Sequence, residues 1–103
     1  MITLDSFQQS TRRTWNPESS LPNAALGLAG ETGELVDIIK KYLYHGHEYN
    51  RENVVSELSD VMYYVAVIAD WFGITLSEVA EYNIEKLRQR YPDGFSEERS
   101  RER

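Results

Sequence analysis

Apolar residues recur at helical spacing in four stretches of the chain, and nowhere do they alternate with the period of a strand. The first stretch is thin. Leu4, Phe7 and Gln8 or Thr11 make a mixed face behind Thr3, a residue suited to cap a helix, and Asn16-Pro17 ends the segment because proline cannot continue the ladder. So little apolar surface requires a larger element to pack on. The second stretch, from about Asn23 to Leu43, sets Leu28, Leu35, Ile38 and Tyr42 on one inward face, with Pro22 near its first turn. The third, from Arg51 or Asn53 to Phe72, carries Val54, Leu58, Val61, Val65 and Ile68. It is apolar nearly all round from Val61 to Ile68, which predicts the central, most buried element. Gly46 and Gly73 stop these two helices. Thr75 and Glu78 have capping-box spacing and start a fourth helix, which runs through Arg90 to the turn Tyr91-Pro92-Asp93-Gly94.

With no strand-period segment, no repeat and only short connections, the fold class is all-α, four helices in a bundle. Residues 1–95 form one domain, and the polar residues 96–103, which lack any periodicity, are expected to be a mobile tail. At 103 residues and 41% apolar content the chain supports one modest core. A single layer of helices this short buries little by itself, so the domain is expected to be an obligate homo-oligomer.

Charge narrows the partners. The formal net charge of −6 opposes binding to a nucleic-acid polymer, which needs clustered Lys and Arg to displace counterions. A small phosphate-bearing ligand remains admissible where metal ions mask the acids. The absence of cysteine excludes disulfides and zinc–thiolate sites. No stretch approaches the roughly 18 apolar residues of a membrane span, and Met1 to Arg13 lacks the apolar run of a signal peptide, so a cytoplasmic location is expected.

Against this background two acid pairs stand out. Glu31 and Glu34 lie three residues apart in the second helix, and Glu57 and Asp60 do so in the third. Each pair projects from one helix face, its members about 60° apart around the axis. Glu31 takes a slot in its inward face that an apolar residue would otherwise fill, and Glu57 and Asp60 edge the apolar stripe of their helix. Ionised, unpaired carboxylates beside a core are costly, and a divalent cation offsets that cost most directly. Antiparallel neighbouring helices would bring all four to a common depth. Magnesium favours such hard oxygen ligands while keeping waters and bridging to substrate phosphates. The competing reading makes the same acids surface residues paired with Lys40, Lys41 or Arg51.

Gly27, Gly30 and Gly33 conflict with helix formation, each costing up to about 1 kcal/mol relative to alanine, which predicts a close approach along the face of Gly30 and Gly33. His45 and His47 flank Gly46 with no third metal ligand in view and read as solvated loop residues. Trp15, in a polar context beside the first loop, is the aromatic best suited to stack on a base, whereas Trp71 is expected to pack at the end of the core helix.

Three runs in order, Gly27-Leu28-Ala29-Gly30-Glu31-Thr32-Gly33-Glu34-Leu35, then Glu57-Leu58-Ser59-Asp60-Val61-Met62-Tyr63-Tyr64, then Asn83 through Tyr91-Pro92-Asp93-Gly94-Phe95, together resemble the MazG-like all-α nucleoside triphosphate pyrophosphohydrolases. The resemblance spans about Leu21 to Phe95. It implies magnesium-dependent (or manganese-dependent) cleavage of (deoxy)nucleoside triphosphates between the α- and β-phosphates, releasing a monophosphate and pyrophosphate to clear the nucleotide pool. By residue-wise carry-over, Glu31, Glu34, Glu57 and Asp60 would be the catalytic metal ligands. Asn83, Lys86 and Arg90 would face the phosphates. The same resemblance implies a homodimer or a tetramer built as a dimer of dimers, with the site completed across the subunit interface. Many relatives carry a second acid where this chain has Gly30. A related fold suggests phosphoribosyl-ATP pyrophosphohydrolase as an alternative, and a non-catalytic helical interaction module is the alternative from another class.

Overall fold

A computed structural model of the chain describes residues 1–102. Among these there are five helices and no strand: α1 (Leu4–Thr11), α2 (Leu21–Tyr44), α3 (Arg51–Trp71), α4 (Leu76–Arg90) and α5 (Glu97–Arg101). The capping chemistry explains most boundaries. Thr3 and Ser6 exchange hydrogen bonds, the Ser6 N–H donating to Thr3 Oγ1 at 3.0 Å and the Thr3 N–H to Ser6 Oγ at 2.9 Å. Asn50 accepts from the Asn53 N–H at 3.1 Å and starts α3. At the end of α3, Gly73 adopts a positive φ of 71°, which turns the chain so that the Ile74 N–H reaches the Ala69 carbonyl at 2.9 Å.

Three expectations from the sequence need correction. Helix α1 stops at Thr11 rather than at Asn16-Pro17, because residues 12–15 tighten into turns, with the Trp15 N–H donating to the Thr11 carbonyl at 3.0 Å. The polar residues after Phe95, read as lacking any periodicity, contain the short helix α5: Ser96 caps it, Glu97 and Glu98 occupy its first turn and Arg99 and Arg101 its last, an order that favours a helix without an apolar face. Arg103 lies outside the described residues. The third correction concerns α3. It is central, touching both α1 and α2, and supplies Ala66, Val67 and Ala69 to the core, more than any other helix, but Val55, Leu58, Met62 and Val65 form an exposed stripe along it. Leu58 and Val65, expected to face inward, belong to this stripe, while Val54, Val61 and Ile68 are half-buried. One chain has only α1 and α2 with which to cover a helix that is apolar all round.

The main packing unit is the hairpin of α2 and α3; α1 lies against α3 and also carries α4. The enclosed core is small: Ala24, Ala66, Val67, Ala69 and Leu76, with Phe7 packed against it. The radius of gyration, 16.7 Å, exceeds the roughly 13 Å of a compact domain of this length. The single chain is therefore open, with Leu76 at the start of α4 packed on Ala66 and Ala69 of α3 while the main contacts of α4 are with α1.

Helix α1 joins these parts mainly through polar groups. Gln8 is buried, donates from Nε2 to the Ile74 carbonyl at 2.9 Å and the Ala66 carbonyl at 3.4 Å, and accepts at Oε1 from the Leu76 N–H at 3.1 Å. It thus satisfies the end of α3 and the start of α4 at once. Asp5 adds bonds from the Ser77 N–H and Oγ at 3.0 and 2.7 Å, and these hold its carboxyl below the usual carboxylate range. The Arg12 guanidinium forms a two-pronged pair with Asp70 at 2.9 and 2.6 Å and lowers the Asp70 pKa. Because that pKa is depressed on folding, the stabilisation is present above the ordinary carboxylate pKa and is lost as the pH falls through the lowered value. Gln8→Leu should destabilise the fold by about 2–4 kcal/mol, since it strands buried backbone groups at both helix ends, and urea unfolding would measure the loss.

Candidate functional site

The hairpin connector sets the site. With α2 and α3 packed side by side and joined by a short turn, Glu31 and Glu34 on one helix come level with Glu57 and Asp60 on the other. One carboxylate oxygen from each of Glu31, Glu57 and Asp60 lies within 4.8 Å of the other two, and all three residues are half-buried. Glu34, the fourth acid, is exposed and lies outside that tight group, yet close enough for its charge to act on both Glu31 and Glu57.

The electrostatics are unbalanced. Oε2 of Glu31 and Oε2 of Glu57 are buried with no hydrogen-bond partner. Burial pushes the Glu31 pKa up, and the nearby charges of Glu34, Asp60 and Glu57 push it further. Glu57 is raised in the same way, by burial first and then by Glu34 and Asp60. Among the described residues no Lys or Arg pairs with any of the four. Lys40 and Lys41, which the surface reading would have used, both turn to Asp37, at 3.4 and 2.9 Å, and hold that carboxyl low. Buried acceptors left without donors are rare because each carries an uncompensated desolvation cost. An all-oxygen donor set with no His or Cys fits a hard divalent cation such as magnesium or manganese.

About one turn along α3 from Asp60, Tyr63 and Tyr64 form an aromatic trio with Trp15 of the loop after α1. Trp15 meets Tyr63 at 6.4 Å between ring centroids and Tyr64 edge-on at 6.2 Å, and the two tyrosines meet edge-on at 5.4 Å. Thr14 Oγ1 and the Tyr63 hydroxyl share a hydrogen bond at 2.8 Å, which ties the loop after α1 to α3. The sequence singled out Trp15, and the adjacent Tyr63 and Tyr64 pointed to interface burial at least as much as to ligand binding; their pairing with Trp15 comes from the packed structure. Trp71, expected to pack, is exposed and shares a cleft of about 240 Å³ with Trp15, Thr11 and Val67. A second, larger cleft of about 360 Å³ opens at the connector end of the hairpin, between Ile38, Tyr42, Tyr49 and Val54.

Asn83, Lys86 and Arg90 are not gathered with the acids by the packed helices of one chain. They ride on α4, which packs on α1, and the Lys86 ammonium sits 5.8 Å from the centre of the Tyr82 ring. His45 and His47 are exposed in the connector. No described helix is long and apolar enough to cross a membrane.

Comparison with known proteins gives the chain a family. Residues 20–95 match the model of the MazG nucleotide pyrophosphohydrolase domain, a span that contains both acid pairs and all of α4. A relative from Mycobacterium phage L5, the Gene 37 protein, is 37% identical over 78 residues, covering 72% of this chain and 68% of its own length. No solved structure matches the chain. An all-helical chain whose acid-bearing hairpin falls wholly inside the matched span belongs to the MazG nucleotide pyrophosphohydrolase family.

Proposed function

We propose that the protein hydrolyses (deoxy)nucleoside triphosphates between the α- and β-phosphates, yielding a nucleoside monophosphate and pyrophosphate, with magnesium held by Glu31, Glu57 and Asp60 and by Glu34 at the exposed rim. The observation that carries this reading is the pair of buried, partnerless carboxylate oxygens, Oε2 of Glu31 and Oε2 of Glu57, in a cluster that forms no ion pair with a Lys or Arg among the described residues. When bound, magnesium supplies the positive charge that offsets both the acids and the triphosphate. The chain's own groups provide positioning, which carries most of the rate in phosphoryl chemistry. Glu34, facing water, orients a water molecule and accepts its proton at a carboxylate oxygen as the water oxygen bonds to the α-phosphorus. The bond from that phosphorus to the α–β bridging oxygen breaks, and pyrophosphate leaves with the electron pair.

Trp15 stacks on the base, and Asn83, Lys86 and Arg90 engage the phosphates from a second copy of the chain. The exposed stripe on α3 and the large radius of gyration support such a dimer or dimer of dimers: the open side of one hairpin is apolar, and α4 stands away from its own acids. The test is a panel of canonical and modified nucleoside triphosphates, with phosphoribosyl-ATP as a separate arm, assayed with magnesium and with chelator. Equal amounts of monophosphate and pyrophosphate, dependent on the metal, are expected from the triphosphates. Turnover of phosphoribosyl-ATP alone would reassign the substrate, and no metal-dependent product from any arm would overturn the enzymatic reading.

A further inference from the structure

Among the glycines of the acid-bearing helix only Gly27 is in close contact. A Cβ at Gly30 or Gly33 would meet nothing, so the close approach predicted for those two is absent in the single chain. A Cβ at Gly27 would instead overlap three carbons of the Tyr64 ring. The ring lies directly on the α2 backbone, nearer than any side-chain-bearing residue would allow. Gly27 is also one helical turn before Glu31, and Tyr64 one turn after Asp60, so this contact sits about 6 Å along both helices from the carboxylates.

The consequence reaches the loop after α1. Tyr64 seated on Gly27 stands nearly perpendicular to both Trp15 and Tyr63, at 6.2 and 5.4 Å between ring centroids, and α1 makes its main contacts with α3 and α4. Moving the Tyr64 ring off α2 therefore moves the surface against which Trp15 is braced. We propose that Gly27 is a positioning residue for the nucleoside end of the substrate: its missing side chain seats Tyr64, and Tyr64 fixes the indole of Trp15 for stacking on a base. This rests on the nucleotide reading above and deepens it, because it separates the group that holds the base from the acids that hold the phosphates.

The test uses the full chain in its native assembly and compares a deoxynucleoside triphosphate with inorganic triphosphate, which shares the phosphates and lacks the base. Gly27→Ala should raise KM for the nucleotide about tenfold, the scale of losing one base–aromatic contact, with kcat changed less than threefold and the affinity for inorganic triphosphate unchanged. Tyr64→Ala, which adds no volume to α2 and so cannot fail by overpacking, should give the same split. The double variant should be no worse than Tyr64→Ala alone, since both act through one contact. Equal losses for nucleotide and inorganic triphosphate would overturn the proposal, as would an unchanged nucleotide KM in Tyr64→Ala. A wild-type protein that binds inorganic triphosphate with magnesium but gains nothing from the base would overturn it while leaving the metal site standing. A wild-type protein that binds neither would remove both.

Discussion

Replacing Glu57 with glutamine is expected to abolish turnover while making the metal-free protein more heat-stable. Glu57→Gln is nearly isosteric, so the packing of α3 against α2 survives. What changes is charge. Glu57 sits among Glu31, Glu34 and Asp60, its Oε2 is buried without a partner, and its pKa is raised by burial and by the neighbouring acids. An amide removes one negative charge from that group and brings a donor to it, relieving repulsion in the folded state. The melting temperature without metal should therefore rise. The same substitution removes a ligand and part of the field at the reacting phosphate, so kcat should fall by about 10²–10³ or more. The rise in melting temperature on adding magnesium should shrink, because metal bound to the native state contributes stability in proportion to its affinity. Opposite signs for stability and activity mark a site that carries strain for function. Turnover within twofold of wild type would remove Glu57 from the catalytic set. A lower metal-free melting temperature would mean that the cluster is internally satisfied and needs no cation.

A charge placed in the bare stripe of α3 should dissolve the proposed dimer and most of its stability. Val55, Leu58, Met62 and Val65 share one exposed face, and Val36, Ile39 and Leu43 are exposed on the neighbouring helix. Large apolar side chains left bare beside a core that encloses mainly small residues are the wrong proportion for an independent monomer. In a twofold interface each residue is buried twice, so Met62→Asp forfeits two methionine burials and adds two unpaired charges, a loss of about 4 kcal/mol or more per dimer. Sedimentation should find the wild type at a multiple of the 12.0 kDa chain mass and Met62→Asp at or near the monomer. The melting temperature of the wild type should rise with protein concentration, and that of the variant should not. Activity should fall with dissociation if Asn83, Lys86 and Arg90 act from the second copy. A monomeric, stable and fully active variant would place the phosphate-binding residues elsewhere.

Helical periodicity, Thr3, Thr75 and the closing glycines were enough to identify α1 to α4 from the sequence, because caps and amphipathic spacing are local properties. Local chemistry also produced α5, but Ser96 and the charge order after it carry no apolar signal, and that helix went unread. On α3 the central, most buried element was read correctly but Leu58 and Val65 were set inward, because a helix that is apolar nearly all round does not say which of its faces its own chain covers.

The meeting of Glu31, Glu57 and Asp60, with Glu34 exposed outside that tight group, was legible because two i, i+3 pairs on consecutive helices with a short connector have one simple way to meet. The electrostatic state of these acids was not. Only the packed hairpin decided that Lys40 and Lys41 turn to Asp37, leaving Glu31 and Glu57 with buried oxygens and no partner. In the same way the run of glycines announced a close approach, but tertiary packing chose Gly27 and Tyr64 over Gly30 and Gly33. Sequence by itself thus determined which residues carry charge, where α2 to α4 begin and end to within a residue or two, and which family the chain resembles. Which of those charges lose water, and which rings touch, followed from distances between segments that lie far apart along the chain, and those exist only once the helices have packed.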